Sequence, residues 1–312
     1  MSHFSVIVIS EKKPDEDELH RILQPWHEFE CDGVDDEYVV DVDVTDEMVA
    51  DHAKYGEGKP FTLEWVEGWS GATFKDGRYF KHTNQAAKWD WWVIGGRWTG
   101  MLIPHYDPDK DPDNRQICVL CQGTGKRTDV SDPELQQKCN GCGGTGIETK
   151  WPTQWKRVAG DQMRLGDIPL VTLRDEAERK ALSRYDEASE VIVGRPIPDW
   201  DALRSAHELE QARKIYNTDP VITDLRAAKV LGFFDEVGEF AKPRADVARS
   251  ARAQAICPFA VVHEGKWYER GKMGWWACVS DEKDRDVWAE EFNALLDKLS
   301  PDVWLTVVDC HI

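Results

Sequence analysis

Phe4-Ser5-Val6-Ile7-Val8-Ile9, near the start of the chain, and Val303-Trp304-Leu305-Thr306-Val307-Val308, near its end, are the two stretches on which the fold turns. The first is a short, β-rich apolar run, the pattern of a central strand covered on both faces, and the second reads as a closing strand. With helix-prone sequence between them, they predict one α+β domain whose first and last strands share a mixed sheet. On that reading residues 1–115 and 257–312 form the core domain, 116–157 a cysteine hairpin, and 158–256 a mainly helical insertion.

Working inward from both ends adds further elements. Pro14 followed by Asp15-Glu16-Asp17-Glu18 predicts a helix start, with acids against the positive end of the dipole and Leu19, Ile22 and Leu23 as its apolar side. Val40, Val42 and Val44 alternate with Asp41 and Asp43, as in a strand wet on one side, and Thr45 is placed to cap a following helix. Trp89 to Ile103 reads as a β-hairpin turned at Gly95-Gly96. In the middle, Arg174 to Ala188 is helix-prone. Asp199 is set to cap a helix with Trp200, Leu203, Ala206, Leu209 and Ala212 near one face, and Pro243 to open another through Ile256. Phe259–His263, Lys266–Glu269 and Trp275–Val279 read as a meander. Asp286 is then placed to cap a helix carrying Trp288, Phe292, Leu295, Leu296 and Leu299, which Pro301 ends.

Composition narrows the function classes. Of 312 residues, 41% are hydrophobic and 31% charged, enough for a packed core. The net charge of −19 argues against general DNA or RNA coating and against docking on anionic lipid, both of which need clustered Lys and Arg. Residues 1–60 hold 17 Asp and Glu against 5 Lys and Arg, either a solvated face or a surface that mimics nucleic acid for a basic partner. No run approaches the roughly 20 apolar residues of a membrane span, and Phe4–Ile9 lacks the basic flank of a signal peptide. A cytoplasmic location is therefore expected, where eight cysteines read as metal ligands or buried thiols rather than disulfides.

Four of those cysteines form a duplicated motif. Cys118-Val119-Leu120-Cys121-Gln122-Gly123-Thr124-Gly125 is echoed by Cys139-Asn140-Gly141-Cys142-Gly143-Gly144-Thr145-Gly146. The spacing fits a four-thiolate site in which two knuckles each present two sulfurs. The glycines suit backbone that wraps a metal at positive φ and points N–H groups at the sulfurs. Soft thiolates favour one zinc ion, with iron as the other candidate. Four protein ligands close the site, so its role is structural, and such an ion supplies on the order of 10 kcal/mol of folding energy.

These two units resemble the cysteine-rich zinc region of DnaJ-type cochaperones, over residues 118–146. That family carries four such units and two zinc sites, whereas this chain has two units and no His-Pro-Asp tripeptide. The resemblance therefore implies a zinc hairpin, and with it binding of exposed segments of other proteins, but not a J-domain. A second resemblance, to bacteriophage-encoded proteins, rests on Ser2-His3-Phe4-Ser5-Val6-Ile7-Val8-Ile9, on Leu23 to Glu30, on the Trp–Gly95-Gly96-Arg97-Trp98 segment and on Asp309-Cys310-His311-Ile312. It implies a phage protein working in a bacterial cytoplasm, and nothing about mechanism.

Two further groups carry chemistry. Trp89, Trp91, Trp92 and Trp98 surround Arg97 and form either an aromatic shelf for a nucleotide-like ligand or the packing of a hairpin. Trp267, Tyr268, Trp275 and Trp276 pose the same choice. Asp309 and His311 end the last strand, and His263 with Glu264 ends another, with Cys257 and Cys278 nearby. These can supply an acid/base pair or a second metal site, or be ordinary strand-end residues, with Cys310 a buried thiol. No protease, kinase, phosphate-loop or nucleophile-elbow motif is present, so the reading leans away from an enzyme. The expectation is an accessory protein that contacts a protein partner through its zinc hairpin. The alternative is a nucleotide-like ligand binder or hydrolase using Arg97, Asp309 and His311.

Overall fold

A computed structural model describes residues 2–127, 129–131, 133–232, 237–274 and 278–312. The two apolar runs quoted above lie side by side at the centre of a six-stranded mixed sheet, within the strands His3–Ser10 and Trp304–His311. They pair antiparallel along their whole length, from His3 opposite His311 to Ser10 opposite Trp304. Ala260–His263 joins the free side of the first strand in parallel, and Lys266–Glu269 adds antiparallel beyond it. The outer side of the last strand is shared: Trp91–Ile94 pairs with one end and Gln162–Arg164 with the other. The fold is α+β, as its terminal strands predict.

Both faces of this sheet are covered, which explains why its central strands are apolar without alternation. Phe4, Val6, Val8, Val308 and Cys310 pack on one face with Leu19, Leu23 and Trp26. Ile7, Ile9, Leu305 and Val307 pack on the other with Leu102, Trp288, Phe292 and Leu296. The helix Glu16–Leu23 starts as predicted, with Asp15 accepting the Glu18 N–H at 2.8 Å. The helix Arg285–Leu296 is capped by Asp284 rather than Asp286, which sits in the first turn and accepts from Ser250 and Gln254 instead.

The expected hairpin at Trp89–Ile103 does not form. Trp91–Ile94 is a strand, but its partner is the last strand of the chain, and after Gly95 the backbone closes into a tight turn at Gly96–Trp98. The reason is local crowding. Gly96 (φ +53°) lies so close to Asp309 that a Cβ there would fall 2.4 Å from that residue's Cβ. Asp309 also accepts the Arg97 N–H at 2.9 Å, pulling the chain under the sheet edge. Buried Asp161 holds the same loop by accepting from Gly100 and Val158.

Residues 158–256 are not wholly apart from the core. Gln162–Arg164 belongs to the central sheet, and Leu173, in the helix Leu170–Ile192, packs into the sheet's second cluster. Further along, Ala188, Ile192, Val221, Ile222, Leu225 and Phe240 form a separate small core. Asp199 caps as predicted, but the helix stops at Ala206. A new one, Leu209–Thr218, follows, so the predicted single face is broken at His207. Pro243 does precede a helix, Arg244–Gln254.

A second, three-stranded sheet orders Val40–Asp43, Arg78–Thr83 and Thr73–Lys75. Thr45 begins the helix after it without capping it. Its N–H goes to Asp43, and its hydroxyl accepts from Tyr79. The expected third strand of the meander overlaps Trp275 and Trp276, which lie outside the described residues. Val279–Ser280 pairs with Lys272–Met273 as a separate ladder. Among the described residues no helix is long and apolar enough to cross a membrane.

Candidate metal centre

Arg115–Ile117 and Ile147–Thr149 pair antiparallel as the two arms of a hairpin. Beyond them each cysteine motif makes one knuckle, and the two repeat the same bonds. Thr124 N–H donates to the Cys121 carbonyl as Thr145 N–H does to Cys142, and each threonine hydroxyl donates to the same carbonyl. The knuckles are cross-tied: Cys118 N–H donates to Gly146 O (2.9 Å) and Cys139 N–H to Gly125 O (2.8 Å).

Gly125 and Gly146 sit where these ties cross. Both have positive φ (+73° and +78°), and a Cβ at either would fall within 2.4 Å of the opposite knuckle's carbonyl oxygen. No other residue fits there.

Among the described residues the sulfurs of Cys118, Cys121, Cys139 and Cys142 form the one gathered set of three or more metal-type donors, all within 4.8 Å of one another. The Cys118–Cys139 and Cys121–Cys142 separations are 3.8 and 3.7 Å, far beyond a disulfide bond of about 2.0 Å. A tetrahedron with metal–sulfur bonds of about 2.3 Å has edges of about 3.8 Å. These two separations stand at coordination spacing, and four sulfurs gathered this closely can hold a metal ion.

The surroundings favour that role. Gly125 N–H donates to Cys121 Sγ at 3.3 Å and Gly146 N–H to Cys142 Sγ at 3.2 Å, as N–H groups do around ligating thiolates. Burial opposes ionisation of Cys142, yet the N–H of Gly146 and the neighbouring thiols outweigh it and bring it down to about 6. Cys118 is pushed the other way, to about 12, first by its hydrogen bond with Glu148 and then by burial. Among the described residues no apolar side chain other than cysteine joins this cluster.

The other sequence candidates separate. Trp89 is 2% exposed in the first core cluster, its Nε1–H donated to the Leu23 carbonyl, and Trp92 packs against that cluster. Trp98 packs against the cluster on the opposite face, and Arg97 is exposed. Trp267 packs beside Trp26, and Tyr268 is exposed. These aromatics do not line up as one shelf. His263 pairs opposite Lys266 at the far end of the sheet, about 20 Å from the end that carries His311. Cys257 is pushed up to about 12 by burial, and Cys310 is raised by burial and by Asp309 and Asp90.

Trp91, Asp309 and His311 do come together, joined by two residues that the sequence reading passed over, His3 and Asp90. His3 Nδ1 donates to Asp309 Oδ1 at 2.9 Å and His311 Nδ1 to Asp90 Oδ1 at 2.7 Å. Trp91 stacks on His311, with ring centres 5.0 Å apart. Nothing in the local sequence marks His3 or Asp90. They arrive through strand register, which sets His3 and Trp91 on either side of His311.

Comparison with protein-family models, with curated proteins and with solved structures gives no match for this chain.

Proposed function

We propose that the protein is a phage-type accessory factor of a bacterial cytoplasm that docks an exposed, extended segment of a host or phage protein on a zinc-stapled hairpin. Four soft thiolates in a closed set suit zinc in a structural role, in keeping with the resemblance to DnaJ-type zinc regions. The observation that carries the reading is the apolar rim of the hairpin. Val119 and Trp151 are 58% and 69% exposed, and Ile117 and Ile147, also exposed, lie opposite each other across the strand pair. Val119, Leu120, Gly141, Glu148, Lys150 and Trp151 line a shallow cavity of about 480 Å³. Apolar side chains held out on a rigid scaffold mark an interaction surface. The two-stranded ladder beside them has free edges among the described residues, where an extended segment can add as a strand.

The test uses a carboxymethylated, permanently unfolded model protein as probe. Binding should fall at least about tenfold in Val119→Asp and in Trp151→Ala, and disappear on zinc chelation, with the sheet's circular dichroism intact. Equal binding by the wild type, both variants and the chelated protein refutes the proposal. A nucleotide-like ligand at Trp89, Trp91, Trp92, Arg97 and Trp98 has less support, because Trp89 and Trp98 pack into opposite faces of the sheet.

A further inference from the structure

One face of the central sheet changes character along its length. Side chains two apart share a face, so His3, Ser5, Ile7 and Ile9 stand together, as do Leu305, Val307, Asp309 and His311. Ile7, Ile9, Leu305 and Val307 are ordinary core. The next positions on the same face are Ser5, His3, Asp309 and His311. Of these, Ser5, Asp309 and His311 are buried, Asp309 fully. Burying polar groups is costly, and a cluster of them continuing an apolar face needs a reason beyond packing.

The hydrogen bonds give the cluster a direction. A carboxylate only accepts, so His3 donates its Nδ1 proton to Asp309 and His311 donates its own to Asp90, and Nε2 of each ring is the atom turned away from the carboxylate. Asp309 is itself held by the Arg97 N–H, and His311 is held against Trp91. His311 is 5% exposed, and its Nε2 is buried without any hydrogen-bond partner. Carboxylate on Nδ1 and a bare Nε2 is the arrangement of metal-ligating histidines, in which the carboxylate orients the ring and raises its basicity.

The ring spacing leaves room for a shared ion. With metal–nitrogen bonds of about 2.0–2.1 Å and ring centres about 1.1 Å behind each nitrogen, two imidazoles on one tetrahedral ion have centres about 5.2 Å apart. The centres of His3 and His311 are 5.1 Å apart, with ring planes inclined at 73°.

We propose that His3 and His311 hold a second divalent transition-metal ion through Nε2, with Asp309 and Asp90 as orienting carboxylates. Two protein ligands leave positions for water or an oxygen ligand, so this site is open where the cysteine site is closed. It stands on residues remote from the cysteines and does not depend on the hairpin's role.

Zinc itself is the probe. Reduced full-length protein is equilibrated with zinc, freed of excess, and its metal measured together with its circular dichroism. Two ions per chain are expected in the wild type and one in His3→Gln or His311→Gln. In Cys118→Ser/Cys142→Ser, the histidine-held ion should be the one kept. Asp90→Asn, which leaves both rings in place, should weaken the second ion by about 10–100-fold. With cobalt, only the cysteine site should show strong sulfur-to-metal absorption. One ion in the wild type that vanishes with the cysteines overturns the inference. So does a second ion indifferent to His3→Gln, whereas an ion lost with His3→Gln but none at the cysteines upholds it and sinks the zinc-hairpin reading alone.

Discussion

Replacing Cys142 by Ser isolates what one sulfur contributes to the hairpin. A four-thiolate structural ion is worth about 12 kcal/mol of binding energy, so one ligand carries about 3 kcal/mol, or ~100-fold in metal affinity. Cys142 also accepts the Gly146 N–H, and that bond weakens with the thiolate gone. Among the described residues the cluster is cysteine alone, so the sulfurs carry its cohesion. Chelator competition should show the affinity loss. Hydrogen exchange should show the Cys118 and Cys139 amides, now tied to Gly146 and Gly125, opening about 100-fold more often in the variant at limiting metal. The central sheet should keep its protection, since its clusters contain no hairpin residue. Unchanged affinity and exchange in Cys142→Ser would refute the ligand assignment; loss of sheet protection would refute the hairpin's independence.

Gly146→Ala should weaken metal binding without touching a ligand, because its Cβ meets Gly123 O at 2.3 Å on a backbone at φ +78°; the same chelator competition reads this out. Phe292→Ala, at a side chain 1% exposed in the sheet's second cluster, should cost about 3–5 kcal/mol in urea unfolding. Asp15→Ala should cost about 1 kcal/mol by removing the cap of the first helix, measured the same way. Asp43 is drawn down to about 2 by hydrogen bonds from Thr45 and by Arg78. A depressed carboxyl stabilises the fold above its ordinary value near 3.8 and loses that contribution as pH falls toward 2. The small sheet should therefore loosen over that window, and Asp43→Asn should flatten the dependence in an NMR titration of the Thr45 and Tyr79 amides.

The reach of the sequence differed from element to element. Phe4–Ile9 announced a strand covered on both faces because only strands buried on both faces lack polar alternation, and Val303–Val308 was legible as a closing strand. The cysteine knuckles were readable to the residue, since ligand spacing and glycine placement are local properties of a tight turn. Trp89–Ile103 misled because an aromatic run broken by Gly-Gly carries the same local signal whether its partner is its own second arm or a strand more than 200 residues away. Thr45 and Asp286 were one or two residues from the actual caps, and their own N–H groups are taken by Asp43 and Asp284.

From its sequence alone, then, the chain marks its central strands, several of its helices to within a residue or two, and four sulfurs that can share an ion, because each of these is written within a few residues. Tertiary structure decides which strand neighbours which, and so which side chains meet. His3, Asp90, Asp309 and His311 lie at opposite ends and in the middle of the chain, and only antiparallel register sets two imidazoles 5.1 Å apart with carboxylates behind them. Register is a long-range property, fixed by the burial of whole faces, and no local pattern encodes it.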